Sequence, residues 1–299
     1  MSRTPFFTKG PADDICYVNT RDLENQFAAA ARNDCEALWE LFEPFADAEF
    51  LIEVRKQFDA RYWEMHLTVY LIKSGYDVEC PKPGPDVGII FNGRRIWFEA
   101  TSPTQGHPDS PDRVPDFKFG VAQDVPEEKI ILRYVNSITS KYTDQYLRWL
   151  ENGIVSPQDA FVVALNPHKL QHDYADSLPP RILQAAFAVG SPYVVIDSRT
   201  HKQIKSGYQF RDHISKMSGT AVSTAVFLQE DYLGLSALLC SRIDVANQPK
   251  RMGADFQLVP NPNARVQLPQ EFRTMGTYFR VERDGDGFTI RPEEVNSGK

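Results

Sequence analysis

The dipeptide Asn92-Gly93, set between the apolar runs 87–91 and 96–98, constrains this chain more than any other feature. Both residue types accept the positive φ angles of a two-residue turn, so the segment is predicted to be a β-hairpin. A hairpin also fixes what lies at its open end. Here that end carries Asp86, which enters the first strand, and Glu99, which leaves the second. Two carboxylates distant in sequence are thereby predicted to meet at one end of a sheet. Hard anionic oxygens brought that close suit Mg²⁺ or Mn²⁺.

At 299 residues with 42% apolar composition, the chain is long enough to bury a substantial core. Its formal charge of −7 gives no general attraction to phosphate or to an anionic membrane. Any nucleic-acid surface must therefore be a local basic patch. Cys16, Cys35, Cys80 and Cys240 are scattered, with no CxxC pair and no His at zinc-ligand spacing, which points to free thiols. Residues 1–7 lack the long apolar segment of a signal peptide, and no run reaches membrane-spanning length. The expectation is a cytoplasmic protein without a membrane partner.

Residues 1–19 have few periodic apolar positions and are predicted to be an arm or loop. A helix is predicted from Thr20, with Phe27, Ala30, Ala31 and Cys35 on its buried face and Pro44 interrupting it. A second runs from about Asp47 to Lys73, buried through Trp63, Leu67, Tyr70 and Leu71, with Glu64 at the edge of that face and Gly75 at the C-cap. His66 lies two residues on and reads as structural. Residues 102–125 form a long proline-rich irregular segment containing His107, of a length often functional or mobile. Pro126-Glu127-Glu128 starts a helix whose apolar stripe is Ile131, Val135, Ile138, Tyr142, Tyr146 and Trp149. Lys141 and Gln145, four apart, share one shoulder of that stripe. Further strands are predicted at 161–165, 193–196, 224–228 and 235–243, a helix at 182–189, and a last hairpin at 278–281 and 288–290. The Asp284-Gly285-Asp286-Gly287 stretch between the last two strands lacks the further ligand spacing of a calcium loop and reads as a turn.

The order of these elements resembles the PD-(D/E)XK nuclease superfamily, the restriction-endonuclease-like fold. Pro85-Asp86 matches its PD element, Glu99-Ala100-Thr101 occupies the (D/E)XK position, and Glu64 matches an acid that many members carry on the first core helix. The resemblance covers about residues 61–145. Thr101 stands where the motif has lysine. In some branches the following helix supplies that lysine, and Lys141 suits the role, with Gln145 one turn on. What the resemblance implies is Mg²⁺-dependent hydrolysis of phosphodiester bonds, most plausibly of DNA, with metal on Asp86, Glu99 and Glu64. Lys141 and Gln145 complete the catalytic set, and Arg94, Arg95 and Arg133 are candidates for phosphate contact. Double-strand scission by one site per chain would suggest a homodimer.

Each residue also has a plainer reading: Asp86 starting a strand, Glu99 paired with Arg95, Glu64 lying beside Lys73 or Arg61, Lys141 solvated. These feed two other functions, an inactive nuclease-like module for nucleic-acid binding or assembly, and a purely structural or protein-interaction domain. The expected architecture is a single α/β (α+β) domain with a mixed sheet, its core at about 47–245, a helical region at 20–45 and a C-terminal hairpin extension at 246–299.

Overall fold

The computed structural model describes residues 4–285 and 287–296, and a mixed sheet between two helical layers dictates its shape. The chain begins with α1 (Ile15–Asp22), α2 (Gln26–Phe42), α3 (Phe50–Glu53) and α4 (Phe58–Lys73). Next come β1 (Val78–Glu79), β2 (Val87–Phe91) and β3 (Arg94–Thr101). Helix α5 (Glu127–Thr139) continues through a π-helical segment (Ser140–Tyr146) into α6 (Leu147–Glu151), and β4 (Ala160–Leu165) and α7 (Arg181–Ala186) follow. Two small antiparallel ribbons stand outside the main sheet, β5 (Val189–Ile196) with β6 (Gln203–Phe210), and β7 (His213–Ser215) with β8 (Ala221–Ser223). The chain then returns through β9 (Ala237–Cys240), β10 (Gln257–Pro260), β11 (Gly276–Asp284) and β12 (Gly287–Val295).

The eight-stranded sheet has the order β1-β2-β3-β4-β9-β10-β11-β12. The neighbours β3/β4, β4/β9 and β10/β11 are parallel and the other pairs antiparallel, giving the mixed α/β class expected from the sequence. Residues 257–295 thus add three strands to the same sheet as the hairpin. Alternation along each strand feeds two separate cores. Val162 and Ala164 of β4 and Ile96, Phe98 and Ala100 of β3 pack with α2 and α4. Phe161, Val163 and Leu165, together with Trp97, pack with α5 and α7. Strand β4 is buried along its whole length, as its continuous apolar run requires.

The structure corrects several expectations. Residues 4–19 are not a loose arm, since Phe6 and Tyr17 are fully buried and Asp14 caps α1 by accepting from the backbone N–H groups of Cys16 and Tyr17. The next helix is capped by Asn25 rather than Thr20, which turns Phe27 outward to 77% exposure. The stretch from Asp47 to Lys73 is broken between α3 and α4. The helix expected over 182–189 ends at Ala186, and Val189 begins a strand. Residues 226–228 form a short 3-10 turn where a strand was predicted. An apolar run this short does not itself separate strand from buried turn. The β11–β12 turn includes Asp286, which lies outside the described residues. Residues 102–126 contain no helix or strand, as anticipated.

Candidate active site

The hairpin β2–β3 forms with Asn92 and Gly93 at φ 48° and 76°, the two positive values its turn demands. Its register pairs Val87 with Phe98, so Asp86 and Glu99 stand one step beyond at the open end. Backbone hydrogen bonds lock the two acids together. The Asp86 N–H donates to Glu99 Oε2 at 3.2 Å, and the Ala100 N–H donates to Asp86 Oδ2 at 2.7 Å. Gly88 lies opposite Trp97 and directly against its ring, leaving no space for a Cβ. Trp97 and Glu99, two apart on β3, share the face that looks toward α5.

Lys141 reaches Glu99 from that direction, with Nζ 2.6 Å from Oε1. It sits in the π-helical segment rather than in a regular α-helix. Short π segments recur at functional sites because the widened turn re-aims side chains. Here the widening is held by Tyr142, whose hydroxyl accepts from the Gly234 N–H at 3.0 Å, and by Tyr146, whose ring stacks on Phe161 at 4.2 Å. Gly234 has no room for a side chain beneath these two rings.

Glu64 arrives from the opposite layer. Helix α4 is buried nearly all round and is pinned to the end of β4 by Trp63, whose indole N–H donates to the Ala164 carbonyl at 2.9 Å. The neighbouring Glu64 is 4% exposed and pairs with Arg61 at 2.6 Å and Lys82 at 3.8 Å. The pairing with Arg61 was one of the plainer readings of this residue. Arg95, by contrast, pairs with Glu79 and leaves Glu99 to Lys141.

These groups meet at a cleft of about 230 Å³ lined by Arg61, Glu64, Asp86, Thr101, Ser102 and Lys141, with Ala100 and Gln57 contributing. Glu99 lies just behind, 3% exposed. Burial, followed by the charge of Asp86, pushes the Glu64 carboxyl up to about 7 and that of Glu99 up to about 8. Burial also works against the Lys141 ammonium, but Glu99 and Asp86 outweigh it and leave this pKa raised. Two buried carboxyls, each raised further by the charge of Asp86, are donors a divalent cation would relieve, and all three are hard oxygens suited to Mg²⁺ or Mn²⁺. The Ser102 hydroxyl is buried there without a hydrogen-bond partner. As they stand, no three carboxylate, imidazole or thiol side chains among the described residues close around one point.

The remaining candidates lie elsewhere. Arg94 and Arg95 belong to the turn end of the hairpin, opposite Phe91 and Ile90, and so about 17 Å and about 14 Å along the strand from Asp86. Arg133 donates from Nε to the Thr104 carbonyl at 2.6 Å and lines a separate cavity. Gln145 does not line the cleft, and its Oε1 is buried without a partner. His66 is structural, as read from the sequence. It stacks near Trp63 with ring centroids 6.2 Å apart, and burial pushes its pKa down to about 3. Arg61, Lys82 and Ser102 were missed as members of the site. Only the three-residue spacing of Arg61 and Glu64 could have signalled one of them.

All four cysteines are free thiols, and no described helix is long and apolar enough to cross a membrane. No protein-family model, curated protein or solved structure matches this chain.

Proposed function

We propose that this chain is a divalent-metal-dependent nuclease of the PD-(D/E)XK type, with its lysine supplied by the helix after the hairpin. One observation carries the reading. Asp86 and Glu99 are locked together at the open end of β2–β3, Lys141 lies on Glu99, and Glu64 faces the same cleft. Asp86 and Glu64, backed by Glu99, are the residues that would hold Mg²⁺ or Mn²⁺, which when bound supplies Lewis-acid polarisation of a phosphate. Lys141 keeps its proton on Nζ and donates to a non-bridging phosphate oxygen or orients the attacking water, a compact charge fixed before substrate arrives. The unpartnered Ser102 hydroxyl is placed to hold a substrate oxygen or that water. DNA as substrate rests on the family resemblance alone.

Incubation of the purified protein with supercoiled plasmid tests this directly. Nicking should require Mg²⁺ or Mn²⁺, stop with EDTA, and disappear in Asp86→Asn and Glu99→Gln. Nicking that persists in both variants would sink the mechanism. A second reading is favoured by the 2.6 Å Lys141–Glu99 pair, in which the ammonium already neutralises the acid. The chain would then be a nuclease-like module for nucleic-acid binding or protein assembly. DNA binding without metal-dependent turnover selects it.

A further inference from the structure

We propose that Arg133, Lys216 and Asn136 form a second phosphate pocket, gripping the nucleic-acid strand a few steps away from the Asp86–Glu99 cleft. This rests on the nuclease reading above. The cavity holds about 140 Å³ and is polar, lined by these three residues with Ser110, Asp112 and Arg113. The last two are already engaged. Arg113 binds Asp116 at 2.7 Å and Gln105 at 3.0 Å, while Asp112 Oδ1 accepts from the Met217 N–H at 2.8 Å. The Asp112 contact draws the β7–β8 turn, and Lys216 with it, against the middle of the irregular segment.

The three proposed ligands have donors to spare. Among the described residues Arg133 makes no ion pair, and its one hydrogen bond, from Nε to Thr104, leaves both terminal nitrogens available. Gly106, at φ +101°, lies beside the guanidinium, where a Cβ would sit 3.4 Å from Arg133 Nη1, and the Thr104 carbonyl fixes the Nε side. Burial lowers the Arg133 pKa with no neighbouring charge to offset it. The Lys216 ammonium and the Asn136 amide likewise have no partner among the described residues. A fixed guanidinium fork, an ammonium and an amide are the donor set that phosphate oxygens take.

Its position matches the task. Residues 102–106 run from Ser102 in the cleft to Gly106 at the pocket, with Arg133 holding the Thr104 carbonyl between them. Four residues of extended chain reach at most about 14 Å. At about 3.4 Å per step along a duplex, that is roughly four nucleotides or fewer. A chain of net charge −7 needs a local cationic contact of this kind to hold a polyanion.

The test is equilibrium binding of a fluorescein-labelled DNA duplex of about two helical turns, in Ca²⁺, between about 50 and 200 mM KCl. The Lys216 side chain makes no hydrogen bond or ion pair among the described residues, and its backbone bonds to Thr220 and Gly219 survive substitution, so Lys216→Ala and Lys216→Glu are clean probes, and Arg133→Lys retains the charge. Lys216→Glu should weaken binding roughly tenfold, and Lys216→Ala should reduce the salt slope by about one. Arg133→Lys should keep the wild-type slope, as should the distant control Arg94→Ala. Unchanged affinity and slope in Lys216→Glu would overturn the pocket, as would absence of duplex binding by the wild type. Calorimetric binding of inorganic phosphate that fails to compete with the duplex would also overturn it, marking a free-anion site. Metal-dependent nicking lost in Asp86→Asn, with binding indifferent to Lys216→Glu, removes the pocket alone. Lys216-sensitive binding without any nicking removes the nuclease reading and leaves the pocket standing.

Discussion

Two clusters of buried charge sit in this molecule and are built on opposite plans. Around Asp173, which is fully buried, Arg181 approaches to 2.5 Å, Arg242 to 2.9 Å and the Tyr134 hydroxyl to 2.9 Å. Arg181 and Arg242 also bind Glu127 and Asp176, so each cation serves two acids. In the cleft the acids are the buried partners, while Arg61 and Lys82 are only partly covered and Asp86 has no cation within salt-bridge distance among the described residues. Burial raises the acids in both places. The difference lies in which neighbour leads: Arg242 and Arg181 pull Asp173 back down, whereas on Glu64 and Glu99 the upward push of Asp86 comes ahead of the downward pull of Arg61, Lys82 and Lys141. The first arrangement is closed electrostatically and ties α5, α7 and the end of β9 together. The second leaves like charges facing one another, a repulsion that the proposed divalent cation would relieve.

Charge-removing variants set the two against each other. The largest effect is expected for Asp86→Asn, which keeps an acceptor for the Ala100 N–H but should lower nicking by about four orders of magnitude, over 5 kcal/mol of barrier. Its thermal midpoint should hold or rise. Asp173→Asn is the mirror case, leaving two buried guanidinium groups short of charge, and denaturant titration should show a loss of about 3–5 kcal/mol. If both substitutions destabilised equally, the contrast between the clusters would disappear.

A smaller and pH-dependent effect separates them next. Glu64 binds its proton more tightly folded, at about 7, than at its ordinary 4.5. The stability of the metal-free protein is therefore complete below the ordinary value and declines as pH climbs from about 4.5 to about 7. At roughly 1.4 kcal/mol per pKa unit the loss from this residue is at most about 3 kcal/mol. Glu64→Gln should remove this share of the decline in a series of melts and leave that of Glu99, whose carboxyl is pushed up to about 8, while saturating Mn²⁺ should flatten both. Smallest of all, Arg94→Ala at the exposed turn should change stability by less than about 0.5 kcal/mol and leave nicking intact.

The cleft was more legible than the paired cluster, and for a local reason. Asn92-Gly93 sets hairpin register over a few residues, so Asp86 and Glu99 could be placed opposite each other before any long-range contact was known. Lys141 was legible as a helical residue but not as an aimed one, because nothing in regular periodicity announces a π segment. Gln145, in the same segment, does not line the cleft. The Asp173 cluster draws on residues 127, 134, 173, 181 and 242, and no spacing rule links them. Phe27 failed for the opposite reason. Its helical spacing was sound, but the Asn25 cap shifted which face of α2 turned inward.

A π turn amounts to one residue too many for the local pitch, and that surplus has a consequence for how the molecule could be switched off by design. Deleting a single residue between Ser140 and Tyr146 would restore an ordinary spiral and swing Lys141 away from Glu99 while every strand kept its partner. The acids at the hairpin's open end and the ammonium that meets them are thus set by separate elements, and the phase of one helix decides whether they touch.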